Sequence, residues 1–61
     1  MRTELKIARL RNGLTQRQLA EQIGVGFKEV SHWEVGDRTP TVQIIKKLGT
    51  ILGIENILDL F

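Results

Sequence analysis

Glycine and proline residues interrupt this chain so often that only short helices fit between them. Gly13, Gly24, Gly36 and Gly53 each follow a stretch that carries apolar residues, and Pro40 precedes another such stretch. Glycine commonly ends a helix because it adopts the left-handed backbone conformation, and proline suits the first helical turn. The chain has 61 residues and no cysteine, so helix packing around one small core has to stabilise it. We therefore predict a compact all-α fold of five helices in a single domain, residues 1–61.

The predicted helices cover about residues 3–12, 15–23, 26–35, 41–52 and 55–60. Thr3 is the expected cap of the first helix, and Thr15 and Gln18 have the spacing of a capping box at the start of the second. Gly49 lies inside the fourth helix, where we expect another part of the backbone to approach closely. The expected core residues are Leu5, Ala8, either Leu10 or Asn12, Leu19, Ala20, Ile23, Val30, Trp33, Ile45, Leu48 and Leu52.

The composition disfavours an enzyme, a metal protein and a membrane protein. Hydrophobic residues make up 41% and charged residues 26%, which is the ordinary balance of a globular domain. His32 is the single histidine and cysteine is absent, so a thiol nucleophile and the usual zinc ligands are missing. Ser31 and His32 are adjacent on a predicted helix, so their side chains point apart. No apolar stretch is long enough to span a membrane. We predict a cytoplasmic, non-enzymatic protein without a metal or cofactor.

Basic residues are concentrated near the amino end. The first seventeen residues contain Arg2, Lys6, Arg9, Arg11 and Arg17 but only one acidic residue, although the net charge of the whole chain is +2. Such an excess favours binding to a polyanion. Solvated helix faces also collect lysine and arginine, and the charge taken alone favours this simpler interpretation.

The second and third predicted helices are joined by a very short connection, Gly24-Val25-Gly26. Three residues are too few to reverse the chain fully, so the two helices should cross at a steep angle. Ala20 is small enough for the crossing, and Gly24 supplies the turn backbone that a side chain would strain. These features predict a helix-turn-helix at about residues 16–35.

The positions of several residue groups are specific in order and spacing. They are Arg9, Gly13-Leu14-Thr15-Gln16, Gln18-Leu19-Ala20, Gly24-Val25, Trp33-Glu34, Gly36, Arg38, Pro40 and Leu52-Gly53-Ile54. Over about residues 5–61 they resemble the phage-repressor and Cro type of helix-turn-helix domain, also called XRE-type. The resemblance implies a lambda-repressor-like, DNA-binding transcriptional regulator, with repression as the expected mode.

The resemblance also implies which side chains contact DNA. The start of the second helix, with Thr15, Gln16 and Arg17, would hold phosphates, as would Arg38 and Thr39 in the loop before the fourth helix. The third helix, at about residues 26–35, would lie in the major groove and contact bases. Its outward residues are Phe27, Lys28, Ser31 and His32.

Each of these residues has a simpler alternative role. Thr15 could serve as a helix cap and nothing more, Phe27 could complete the core, and the polar and charged residues could be solvated surface.

If the residues of the third helix do contact DNA, their chemistry limits the partners. Lys28 can donate to guanine or neutralise a phosphate, and His32 can do either through one ring nitrogen. Phe27 can contact a thymine methyl group. The resemblance also implies two structural roles. Arg9 and Glu34 would form a partly buried ion pair, and Trp33 would lie in the core.

The expected partner is double-stranded DNA, bound by a homodimer on a palindromic operator with half-sites about 34 Å apart. The apolar residues left outside the main stripes could form a dimer patch or complete the monomer's own core. These residues are Ile44, Ile51, Ile57, Leu60 and Phe61. The alternative function is that of an antitoxin or another module that uses this fold to bind a partner protein.

Overall fold

A computed structural model describes residues 2–61 as four α-helices followed by one short 3₁₀ helix. The α-helices are α1 (Thr3–Arg11), α2 (Gln16–Ile23), α3 (Phe27–Val35) and α4 (Val42–Leu52), and the 3₁₀ helix is Ile57–Leu60. Within residues 2–61 there is no β-strand, so the prediction of an all-helical fold is confirmed over that range. The count of five helices is not confirmed, because the last segment is not an α-helix.

The final segment forms a 3₁₀ helix because contacts with α4 fix its position. Ile57 is buried against Gly49, the position where we expected a close approach. A Cβ atom on Gly49 would lie 2.9 Å from Ile57 Cγ2 and 3.0 Å from the carbonyl oxygen of Ile54. The amide of Asp59 then donates to the carbonyl of Asn56, which is the i to i−3 bond of a 3₁₀ turn.

The start of helix α1 differs from its prediction. The capping position is Arg2, whose side chain makes no capping bond, and Thr3 is the first helical residue. Thr3 was therefore wrongly predicted as the cap. Leu10 is 55% exposed and Asn12 is also exposed, so neither alternative for the third core position of α1 was right, whereas Leu5 is fully buried.

The core lies between all four α-helices and the 3₁₀ helix. Within residues 2–61, ten hydrophobic residues are buried. Apart from the alternatives Leu10 and Asn12 and the half-buried Ala8, every predicted core residue is among them. For five apolar residues the sequence left two roles open, a dimer patch or the monomer's own core. Of these, Ile57 is buried, and the others are half-buried and pack against the core. These others are Ile44, Ile51, Leu60 and Phe61. The packing favours their role in the monomer's own core.

The corner between α2 and α3 is formed by the predicted glycine. Gly24 has a φ of 92°, in the left-handed region, and its amide donates to the carbonyl of Ala20 over 2.8 Å. Val25 also donates to Ala20, over 3.0 Å, and packs half-buried against the core. Because Ala20 is only 1% exposed, the two helices meet closely at this point.

The predicted capping box at the start of α2 is present. The Thr15 hydroxyl accepts a hydrogen bond from the Gln18 amide at 3.0 Å, and the Thr15 amide donates to Gln18 Oε1 at 2.9 Å. We expect Thr15→Ala to lower the free energy of unfolding by about 1 kcal/mol, because the Gln18 amide loses the hydroxyl that accepts its hydrogen bond. Thermal denaturation measures the change, with Thr3→Ala as the control, since the exposed Thr3 makes no cap. Equal effects of the two variants would contradict the prediction.

Candidate nucleic-acid interface

The start of α2 presents backbone amides at the positive end of the helix dipole. The capping box occupies the amides of Thr15 and Gln18, so the amides of Gln16 and Arg17 remain outside it. Free first-turn amides and the helix dipole together favour an anion at this end. This geometry suits a phosphate group, the ligand that the family resemblance implies here.

Gln16, predicted as a phosphate contact, is engaged inside the protein. Its side chain is half-buried, and its Nε2 atom donates to Glu34 Oε1 over 3.1 Å. Gln16 therefore links the start of α2 to the last turn of α3. The backbone amide of Gln16 takes no part in this bond, so it remains one of the two free amides at the start of α2.

Arg17 and Phe27 connect the predicted phosphate contacts with the predicted base contacts. The Arg17 guanidinium lies over the Phe27 ring, with 4.4 Å between its carbon and the ring centroid. Phe27 is 38% exposed and is not among the residues that pack against the core. The core alternative for Phe27 is therefore wrong. The cation–π contact holds both side chains at the surface near the corner of the helix-turn-helix.

The outward face of α3 is a ridge formed by Lys28, His32 and Val35. These residues are spaced by four and three positions, so they share one helix face, opposite the buried Val30 and Glu34. Lys28 is exposed and Val35 is 52% exposed. Val35 was not predicted as a site residue, although its spacing from Lys28 and His32 was visible in the sequence.

Ser31, also predicted to face DNA, lies to one side of this ridge. It is half-buried and lines a shallow cleft. The other lining residues are Arg2, Thr3, Lys6, Gln16, Glu34 and Val35. The cleft brings Ser31 and Gln16 close to the basic residues of α1.

Two acidic residues pair with predicted DNA contacts. Asp37 lies with both carboxylate oxygens next to His32 Nδ1, at 3.0 and 3.1 Å. Glu29 Oε1 accepts from Arg38 Nη1 at 3.0 Å, and the two side chains are 41% and 59% exposed. An exposed pair of this kind contributes little to stability, so Arg38 can exchange Glu29 for a phosphate. Sequence reasoning missed the role of Asp37, because it lies five positions after His32 and beyond the end of α3.

Arg2 holds the loop between α3 and α4 in place. Its Nη1 atom donates to the carbonyl oxygens of Trp33 and Arg38, each at 2.9 Å, and its Nη2 atom donates to Thr39 Oγ1 at 2.8 Å. The guanidinium carbon also lies 4.6 Å from the centroid of the Phe61 ring. Arg2 thus fixes the backbone of Arg38 and the side chain of Thr39. Since Thr39 accepts from Arg2, its hydroxyl hydrogen can still be donated.

Arg9 and Glu34 form a buried ion pair between α1 and α3. Arg9 Nε lies 2.6 Å from Glu34 Oε2, and each side chain is 7% exposed. Arg9 also donates from Nη2 to Glu34 Oε1 at 3.3 Å and from Nη1 to the carbonyl of Leu14 at 2.8 Å. No buried side-chain nitrogen or oxygen within the described part of the chain is without a hydrogen-bond partner. Because Arg9 is paired in the interior, it does not add to the basic surface.

Residues 2–61 contain no group of three or more side chains that could hold a metal ion. The helices of this range are all too short or too polar to cross a lipid bilayer.

Comparison with known proteins gives a consistent assignment. Residues 5–55 match the helix-turn-helix family. An uncharacterized HTH-type transcriptional regulator of Methanothermobacter thermautotrophicus (strain Delta H) is 36% identical over 61 residues, which are 100% of this chain and 88% of the relative. The uncharacterized HTH-type transcriptional regulator YqaF of Bacillus subtilis (strain 168) is 38% identical over 55 residues, 90% of this chain and 72% of the relative. No solved structure gives a significant match. The chain belongs to the helix-turn-helix family of the XRE type.

Proposed function

We propose that this chain is a transcriptional repressor that binds double-stranded DNA sequence-specifically, with α3 in the major groove. The observation that carries the proposal is the outward ridge of α3, formed by the exposed Lys28 and Val35 and the half-buried His32, together with the two free amides at the start of α2. A helix that enters the groove needs an outward row of side chains, while the preceding helix contacts the backbone. Two relatives named as transcriptional regulators support a role in transcription.

The proposed contacts fall into two groups. Phosphates are held by the first turn of α2 and by the loop before α4, through Thr15, Gln16, Arg17, Arg38 and Thr39. Base edges are contacted from α3, through Phe27, Lys28, Ser31 and His32. Phosphate contacts fix the position of the protein and base contacts select the sequence, so the two groups differ in what their removal changes.

We further propose that residues 1–61 act as one lambda-repressor-like domain that pairs into a homodimer on a palindromic operator. A single helix in one groove covers few base pairs, so selectivity requires a second half-site about 34 Å away. The two-fold symmetry of the protein pair then matches the symmetry of the operator.

Selection of binding sites from random duplex DNA tests the proposal. We expect wild-type protein to select a defined, two-fold symmetric site. Lys28→Ala should weaken binding to that site by about tenfold and relax the preference at one base pair, because Lys28 donates to guanine. Lys47→Ala is the matched control, since it removes the same charge from an exposed position on α4.

A salt titration separates the two kinds of contact. Loss of a phosphate contact reduces the slope of log affinity against log salt by about 1, whereas loss of a base contact changes the preferred sequence. Weak binding without any sequence preference, or identical behaviour of Lys28→Ala and Lys47→Ala, would contradict the proposal. Capture of a specific partner protein by a chain that binds no duplex would favour the antitoxin alternative.

A further inference from the structure

The carboxylate of Asp37 lies against one particular nitrogen of the His32 ring. Both of its oxygens are within 3.1 Å of Nδ1. Gly36 makes this contact possible, because its left-handed backbone, with a φ of 97°, ends α3 and directs the chain back toward the helix. An ionised carboxylate can only accept hydrogen bonds, so Nδ1 carries the hydrogen. We propose that Asp37 fixes the tautomer of His32 and thereby determines which bases His32 can contact; the inference rests on the proposed function.

The tautomer defines the chemistry of the other ring nitrogen. A neutral imidazole has one N–H group, so a hydrogen on Nδ1 leaves Nε2 as an acceptor. Nε2 has no hydrogen-bond partner within residues 2–61 and is not a buried atom. The His32 side chain is 37% exposed and lies on the same ridge as Lys28 and Val35.

An acceptor at this position selects among base edges. In the major groove, adenine offers its N6 amine and cytosine its N4 amine as donors, whereas guanine offers only the acceptors O6 and N7. Phosphate oxygens are also acceptors. Neutral His32 therefore contacts adenine or cytosine and disfavours both guanine and phosphate. Lys28, one turn earlier, is a donor only and has the opposite preference.

Asp37 is thus a positioning residue that acts through His32. Its own negative charge repels DNA phosphates, but this effect is the same for every sequence. The ratio of affinities for different bases is therefore the quantity that isolates its influence on His32. A purely structural role of Asp37 would change affinity or stability without changing that ratio.

NMR of the ring nitrogens tests the tautomer directly. His32 is the single histidine, so a long-range ¹⁵N–¹H spectrum of the imidazole contains the signals of one residue. At a pH where the nitrogen shifts show a neutral ring, we expect the Nδ1–H form in wild type and mainly the Nε2–H form in Asp37→Ala. Asp59→Ala, which removes an exposed carboxylate elsewhere, should leave the spectrum unchanged. An Nε2–H form in wild type, or no difference in Asp37→Ala, would overturn the proposal.

Site selection tests the consequence for DNA. At the base pair that His32 contacts, we expect wild type to prefer adenine or cytosine over guanine by about two- to tenfold, the range of one net hydrogen bond. Asp37→Ala should lose this preference, and in a His32→Ala background the same change should leave the base ratio unaltered. An unchanged base ratio in Asp37→Ala, with normal duplex binding, would overturn this inference alone. Failure of wild type to bind any duplex would overturn it together with the proposed function, while the NMR result would still report the tautomer.

Discussion

Glu34→Ala lowers the free energy of unfolding by about 3–5 kcal/mol, because it leaves the Arg9 guanidinium buried without its counter-charge. Arg9 is only 6% exposed as a residue, so water cannot replace the lost carboxylate. A domain of this length is expected to have a total stability of about 3–9 kcal/mol. Glu34→Ala should therefore lower the Tm by more than about 12 °C, so that the variant is largely unfolded at the Tm of the wild-type protein. Circular dichroism during thermal and urea denaturation measures both quantities.

A double variant separates the loss of the pair from the loss of one partner. Arg9→Met combined with Glu34→Leu removes both charges and fills the space with apolar groups, so the loss should be much smaller than for Glu34→Ala alone. Glu4→Ala is the control for an exposed glutamate, with an expected change within about 0.5 kcal/mol. A Glu34→Ala protein as stable as wild type would show that the ion pair does not stabilise the fold.

Gly49→Val lowers the free energy of unfolding by about 2–3 kcal/mol, because the added atoms overlap the segment that follows α4. The nearest backbone atom, the carbonyl oxygen of Ile54, would lie 3.0 Å from the new Cβ, and backbone cannot rotate away as a side chain can. Ile57 would also be displaced from the core. Urea denaturation measures the change in stability.

Gly26→Ser is the matched control for a glycine replaced in open space. A Cβ at Gly26 would have no neighbour within 4 Å, and its extended backbone, with a φ of −72°, accepts any residue. Serine also supplies the side-chain cap that α3 lacks, so this variant should be as stable as wild type or slightly more stable. Equal destabilisation by both substitutions would contradict the packing argument for Gly49.

Most of the fold could be predicted because its determinants are local. Helix ends at Gly24 and Gly36 and the capping box at Thr15 depend on residues within one turn, so the sequence pattern contains the required information. The buried positions of α2 and α4 likewise follow from helical spacing. The errors arose where residues distant in sequence determine the structure. The cap of α1 is an example, because the amide of Arg2, the residue before the helix, is bonded to the carbonyl of Glu34.

The candidate site was less predictable for the same reason. The outward residues of α3 follow from helix geometry, which predicted Lys28 and His32 and should also have included Val35. The partners of these residues come from outside the helix. Asp37 contacts His32 because Gly36 adopts the left-handed conformation and turns the chain back. Helical spacing cannot predict this contact, since Asp37 lies beyond the end of α3. The contact of Arg17 with Phe27 likewise joins two helices across the corner.

The hydrogen bonds that Arg2 makes to the loop before α4 affect how tightly a polyanion can bind there. A loop that is disordered before association must lose conformational entropy on binding, which weakens affinity. Here the Arg38 carbonyl and the Thr39 hydroxyl are already bonded to Arg2 without a bound polyanion. If this loop binds a phosphate as proposed, only the exposed Arg38 side chain has to change its partner, so little of the loop has to be ordered on binding.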